Sequence, residues 1–101
     1  MARVYRTALA KSDLLSLWRR IAEEGHSPLN AERFLWKLDT HCQNLAEVPF
    51  MGIARPDIAP DIRSFSAAPY TIYYRLVSDG VEIMRVIHQA RALQNVLTDL
   101  S

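Results

Sequence analysis

One cysteine, three glycines and two lysines in 101 residues mark this chain first by what it does without. The lone Cys42 closes no internal disulfide and supplies no thiolate cluster for a metal. The three histidines, His26, His41 and His88, are nowhere spaced like the paired ligands of a His-x-x-x-His site. No apolar run approaches the ~18 residues needed to cross a bilayer. The opening "MARVYRTALAKSD" holds no apolar segment of signal-peptide length. A cytoplasmic residence without membrane contact is therefore expected. Walker loop, dinucleotide fingerprint and serine-nucleophile motif are missing too, so no cofactor is expected.

What is present is a foldable balance. Half the residues are apolar and 23% are charged, which excludes a disordered tail. The length suits one domain spanning residues 1–101. Net charge is only +1, and neither half of the chain is a basic tail. The bias lies in the kind of base: ten Arg against two Lys. Arg is the better residue for gripping carboxylate or phosphate with two parallel hydrogen bonds.

Periodicity divides the chain. "RVYRTA" reads as a short first strand, pairing at a sheet edge. Leu14, Leu17, Trp18, Ile21 and Ala22 recur at three and four, predicting a helix over 9–24 that Gly25 ends as a left-handed residue. Ser27 caps a second helix with Pro28 at its first position, where a missing N–H costs nothing. Its apolar face runs through Ala31, Phe34 or Leu35, Leu38, Cys42 and Leu45. It stops near Glu47 or Val48, ahead of Pro49. Two such helices with so short a link fold back as a hairpin. Pro49 to Asp61 reads as a loop, and three strands follow: 62–67, 70–77 and 81–88. Ser78-Asp79-Gly80 makes the turn between the last two. Strict alternation puts Ile72, Tyr74 and Leu76 opposite Thr71, Tyr73 and Arg75. It likewise puts Ile83, Arg85 and Ile87 opposite Met84, Val86 and His88. Apolar residues on both faces of this last run suit a central strand. "ARALQNVLTDL" closes as a short helix. The expected fold is α+β: a small antiparallel sheet packed against an N-terminal helical hairpin, with a short C-terminal helix.

No catalytic set stands out from residue types alone. Cys42 sits on an apolar stripe and reads as core filler. His26 reads as an exposed loop residue, and His41 as helical and polar-facing. His88 suits a general base by chemistry, against a plainer reading as a half-buried histidine bonding nearby backbone. Tyr73 is the better surface aromatic, with Tyr74 in the core. Arg63, Arg75 and Arg85 form one positive patch if their registers agree; otherwise they make ordinary salt bridges. Register is not readable from sequence.

The order and spacing of several segments resemble a known family. They are "SDLLSLWRRIA" in the first helix, the link formed by Leu45, Pro49, Gly52 and Arg55, "IR.F....YTIYYRL", and the terminal "I.RV.H" of Ile83, Arg85, Val86 and His88. Together they resemble the ParE branch of the ParE/RelE superfamily of bacterial type II toxin–antitoxin systems, over nearly the whole chain. The resemblance implies a growth-arresting toxin that poisons DNA gyrase and is not a hydrolase. The alternative it implies is a RelE-type ribosome-dependent mRNA endoribonuclease. The cations that activity uses fall here at Thr71 and Gln89, and its C-terminal Tyr at Asn95. That leaves no intact set to stabilise a phosphorane-like transition state, although Arg91 and His88 could compensate in part. Implied partners are a cognate ParD-like antitoxin, DNA gyrase, and operator DNA only indirectly through the antitoxin. Arg63, Tyr73, Arg75, Arg85, His88 and Arg91 are the candidate target or partner contacts, with Arg85 and Arg91 expected to be exposed.

Overall fold

In a computed structural model, which describes residues 2–91, the chain orders as β1 (Arg3–Arg6), α1 (Ala8–Arg19), α2 (Pro28–Glu47), β2 (Ile53–Ala54), β3 (Arg63–Ala67), β4 (Tyr70–Val77) and β5 (Gly80–His88). The sheet runs β1-β5-β4-β3-β2. Its β2-β3-β4-β5 portion is antiparallel, and β1 lies parallel to β5. The helical hairpin covers one face of this α+β sheet. Of the segment expected to form a closing helix, Ala90 to Leu100, all but Ala90 and Arg91 lies outside the described residues, and those two form a turn and a bend.

The local signals work through identifiable bonds. Thr7 caps α1, its hydroxyl accepting from the Ala10 N–H at 3.0 Å and donating to the Met84 carbonyl at 2.8 Å. Ser27 caps α2 by accepting from the Asn30 N–H, and Pro28 occupies the first turn. α1 passes into a π-helical turn, Arg20–Glu24, before the link. Gly25 is not the left-handed residue; its φ is −83°, and His26 takes φ 53° instead. The stretch Pro49 to Asp61 is not wholly loop, since Pro49–Met51 forms a 3-10 turn and β2 follows.

The main core joins α1, α2 and one sheet face, with Leu17, Leu38, Leu45, Ile72, Tyr74, Val81, Ile83 and Val86 buried. Cys42 lies inside it, and burial pushes its thiol up to about 11. At pH 8 roughly a thousandth is then thiolate. Iodoacetamide is expected to leave the native protein unmodified at that pH and to alkylate it within minutes in guanidinium. Equal rates in both conditions would contradict the buried placement.

A second cluster covers the other face: Ile58 and Ile62 lie on Tyr73 and Ile87. Thus Tyr73 is buried, 6% exposed, and not a surface aromatic. The chain that hides it is the Pro49–Asp61 connection, whose path has no periodic signature.

Strict alternation also fails in β5. Tyr73 pairs with Arg85 but Tyr74 with Ile83, so Met84 is an extra residue, a β-bulge. One inserted residue exchanges faces beyond it. Ile83 therefore shares the main core with Val86, while Met84 joins Ile87 in the second cluster. Nor is β5 central along its length. β1 flanks it only from Gly80 to Ile83, and β4 is the middle strand. At Gly80 a Cβ would lie 2.7 Å from the Arg3 nitrogen, so glycine is what lets β1 approach.

Candidate functional site

Where β1 ends, side chains take over the edge of β5. The Thr7 N–H donates to the Ile83 carbonyl at 3.1 Å and the Thr7 hydroxyl reaches the next one. One turn on, Asp13 accepts the Val86 N–H at 3.0 Å. The same carboxylate takes Nε and Nη2 of Arg85, each at 2.8 Å. This pair is closed from water, with side-chain exposures of 5% for Arg85 and 11% for Asp13. The hydrogen bond to Asp13 raises the Arg85 pKa above its ordinary value. Arg85 is therefore a buried structural cation, and its expected exposure is corrected. Asp13 was legible in one respect: it falls on the stripe of Ala10, Leu14 and Leu17, and a carboxylate on a buried face needs a partner.

The Leu45–Pro49–Gly52–Arg55 link also acquires a physical reason. Leu45 is fully buried. The Tyr74 hydroxyl donates to the Pro49 carbonyl at 2.6 Å and accepts the Gly52 N–H at 3.0 Å. Any Cβ at Gly52 would overlap that hydroxyl and stand 2.7 Å from the Ser64 carbonyl. Arg63 donates to the Gly52 carbonyl at 2.6 Å and stacks over Phe50 at 5.1 Å. Arg55 grips Asp57 with two bonds, at 3.1 and 2.9 Å, and lies over the Tyr73 ring. The guanidinium holds Asp57 below the usual carboxylate range.

The sheet arginines do not make one patch. Arg63 stands opposite Tyr74, on the helical side, whereas Arg75 pairs across with Glu82 on the other. Arg75 is half exposed and bound to Glu82 at 2.8 Å, with Asp61 at 3.7 Å. His88 is half buried at the end of β5. Its Nδ1 accepts the Ala90 N–H at 3.1 Å, and its ring meets Tyr70 edge-on, as the plainer reading expects.

His88 and Arg91 do share a cavity of about 360 Å³ between α1 and the end of β5. Arg19 and Arg20 line it from the helix. Neither was singled out from sequence; the available signal was the four-residue recurrence of Ser16, Arg20 and Glu24 beside Arg19. A separate apolar groove of about 230 Å³ between the helices and the sheet is lined by Leu14, Leu35, Leu38, Ile72 and Val86, among others. Among the described residues no group of His, Cys, Asp or Glu could hold a metal.

A helical hairpin laid on one face of a sheet of this order is the architecture of a RelE/ParE-like toxin fold. Residues 4–93 match the family model described as ParE toxin of type II toxin-antitoxin system, parDE, and the chain belongs to that family. It is 31% identical to Toxin ParE3 of Caulobacter vibrioides over 87 residues, 86% of each chain. It is 35% identical to Toxin ParE1 of Mycobacterium tuberculosis over 60 residues, 58% of this chain and 61% of that one. Among solved structures, one described as the chromosomal ParDE TA system from P. aeruginosa superposes with a TM-score of 0.68 at 20% identity. It covers 87% of this chain and 96% of the other. The protein is thus the toxin component of a ParE/RelE-type toxin–antitoxin system.

Proposed function

We propose that this toxin arrests growth by engaging DNA gyrase, and that a ParD-like antitoxin neutralises it. The observation that carries the reading is Gln89. At this position the ribonuclease branch would place a cation, and here the amide Nε2 donates to the Ser66 hydroxyl at 2.9 Å and the Tyr70 carbonyl at 3.4 Å. Thr71 stands at the other such position. Arg85 is spent on Asp13. None of these can meet charge developing on a phosphorane, which is the main demand of that chemistry. The contact with gyrase is then protein to protein and cytoplasmic. The antitoxin would lay an amphipathic helix into the apolar groove between hairpin and sheet. Operator DNA would be met only through it.

Purified full-length toxin is expected to abolish supercoiling of relaxed plasmid by gyrase, with activity restored on adding the antitoxin. Undiminished supercoiling at concentrations that still arrest growth would sink the reading. The ribonuclease alternative rests on His88 and Arg91 lining one cavity. It requires transcript ends cut at codon positions after induction, which the gyrase reading does not produce.

A further inference from the structure

Ten arginines dominate the positive charge of this chain. Arg3, Arg6, Arg55, Arg75 and Arg85 each meet a carboxylate, and Arg63 donates to backbone carbonyls. The other four are Arg19, Arg20, Arg33 and Arg91, whose side chains have no ion pair or hydrogen bond among the described residues. Three of these four line the single 360 Å³ cavity beside β5. A net charge of +1 conceals this arrangement, because the paired arginines cancel and the uncommitted ones converge.

The rest of the lining has the same sense. Of the two carboxylates among the described lining residues, Asp13 is consumed by Arg85 and the Val86 N–H, which leaves Glu24 against three guanidiniums. The His88 Nδ1 accepts from Ala90, so the proton of the neutral ring sits on Nε2, a donor. The Tyr70 hydroxyl has no partner among the described residues. Among the described lining residues donors outnumber acceptors, and the cavity is large enough for a nucleotide-sized group.

An acidic peptide is the other anion to weigh, and the β5 edge disfavours it. Strand addition needs free backbone groups. Here Thr7 and Asp13 already hold Ile83, Met84 and Val86, and the Arg91 N–H donates to the His88 carbonyl at 2.9 Å. What remains is side-chain charge from two walls, the mode by which phosphate backbones are gripped. We infer that this cavity binds the phosphate groups of a nucleic-acid strand.

The test is fluorescence anisotropy of the full-length protein with a short labelled single-stranded DNA, which lacks the 2′-hydroxyl that strand cleavage by a ribonuclease would use. Saturable binding is expected, with a log–log salt slope of about −2 for three phosphate contacts. The double variant Arg19→Gln/Arg20→Gln should bind roughly tenfold or more weakly. Both residues are exposed and have no partner among the described residues, so its melting curve should match the wild type. Arg33→Gln, an uncommitted arginine outside the cavity, should leave binding unchanged. Displacement of the strand by a free nucleotide, but not by a polyglutamate of equal charge, supports phosphate as the recognised group. Absence of saturable binding, equal weakening by Arg33→Gln, or equal displacement by polyglutamate would each overturn it. The assay contains no gyrase, so its outcome is independent of the target proposed above.

Discussion

Asp13→Ala is expected to destabilise the protein more than any other single carboxylate change among the described residues. The substitution removes acceptors from two bonds of Arg85 and from the Val86 N–H. It leaves the Arg85 side chain, 5% exposed, without the Asp13 charge. Breaking a buried pair from one side costs about 3–5 kcal/mol. A domain of this size holds roughly 5–15 kcal/mol in total. At about 4–8 °C per kcal/mol, the melting temperature should fall by more than about 12 °C. Asp13→Asn keeps one acceptor and loses the charge, and should fall between. Replacing both partners, Asp13→Leu with Arg85→Met, should cost less than the two single alanine changes summed, because the double replacement removes both members of the pair whereas each single change removes one. A melting temperature for Asp13→Ala within a few degrees of wild type would refute the account.

The same energetics bear on how toxicity data are interpreted. Arg85→Ala leaves Asp13 with only the Val86 N–H among the contacts described above, in a site closed from water. Loss of growth arrest in that variant would report folding before it reported contact with a target. Arg19 and Arg20 are exposed and carry no structural bond among the described residues, so changes there separate binding from stability.

The parts of the fold visible in sequence are those governed by neighbours along the chain. The limits of β4, Tyr70 to Val77, follow from β-branched and aromatic residues between Pro69 and the Ser78-Asp79 turn. The start of α2 follows from Ser27 and Pro28. What stayed hidden depends on residues far apart. Tyr73 and Tyr74 have the same side-chain type, and only the return of Ile58 and Ile62 buries the first against the outer face. Arg85 looks like a solvent-facing base until Asp13, 72 positions earlier, is placed beside it. The Met84 bulge has no local marker: Ile83 to Ile87 alternates acceptably either way, and the register with β4 decides. For the candidate site, the family signature marked His88 and Arg85. The cavity's other wall comes from α1, and its arginines were uninformative until the committed ones could be subtracted.

Gly52→Ala tests the remaining long-range element, the link pinned on Tyr74. Its added methyl would overlap the Tyr74 hydroxyl and crowd the Ser64 carbonyl, which belongs to the sheet and cannot yield. The link must lift, and with it go the bonds from Tyr74 to Pro49 and from Gly52 to Tyr74. Overpacking costs about 1–3 kcal/mol. Each unmade buried bond adds roughly 1 kcal/mol or more. A loss of about 3–5 kcal/mol is expected, read as a lower urea midpoint at unchanged slope. Tyr74→Phe removes the hydroxyl alone and strands the Gly52 N–H and the Pro49 carbonyl, for about 2–4 kcal/mol. The double variant is diagnostic. Losing the hydroxyl relieves one of the methyl's close contacts, though not those with the Tyr74 ring edge and the Ser64 carbonyl, and the two Tyr74 bonds can be lost only once, so Gly52→Ala/Tyr74→Phe should be more stable than the sum of the single losses by at least about 1 kcal/mol. Strict additivity would mean that the hydroxyl does not set the approach of the link, and that glycine is needed there only for the Ser64 carbonyl. Arg63 offers a second check, since its 2.6 Å bond to the Gly52 carbonyl holds the link from the β3 side. Arg63→Met deletes that bond, so it should weaken the link, and because Arg63 is the cross-strand partner of Tyr74 its loss should couple to Tyr74→Phe.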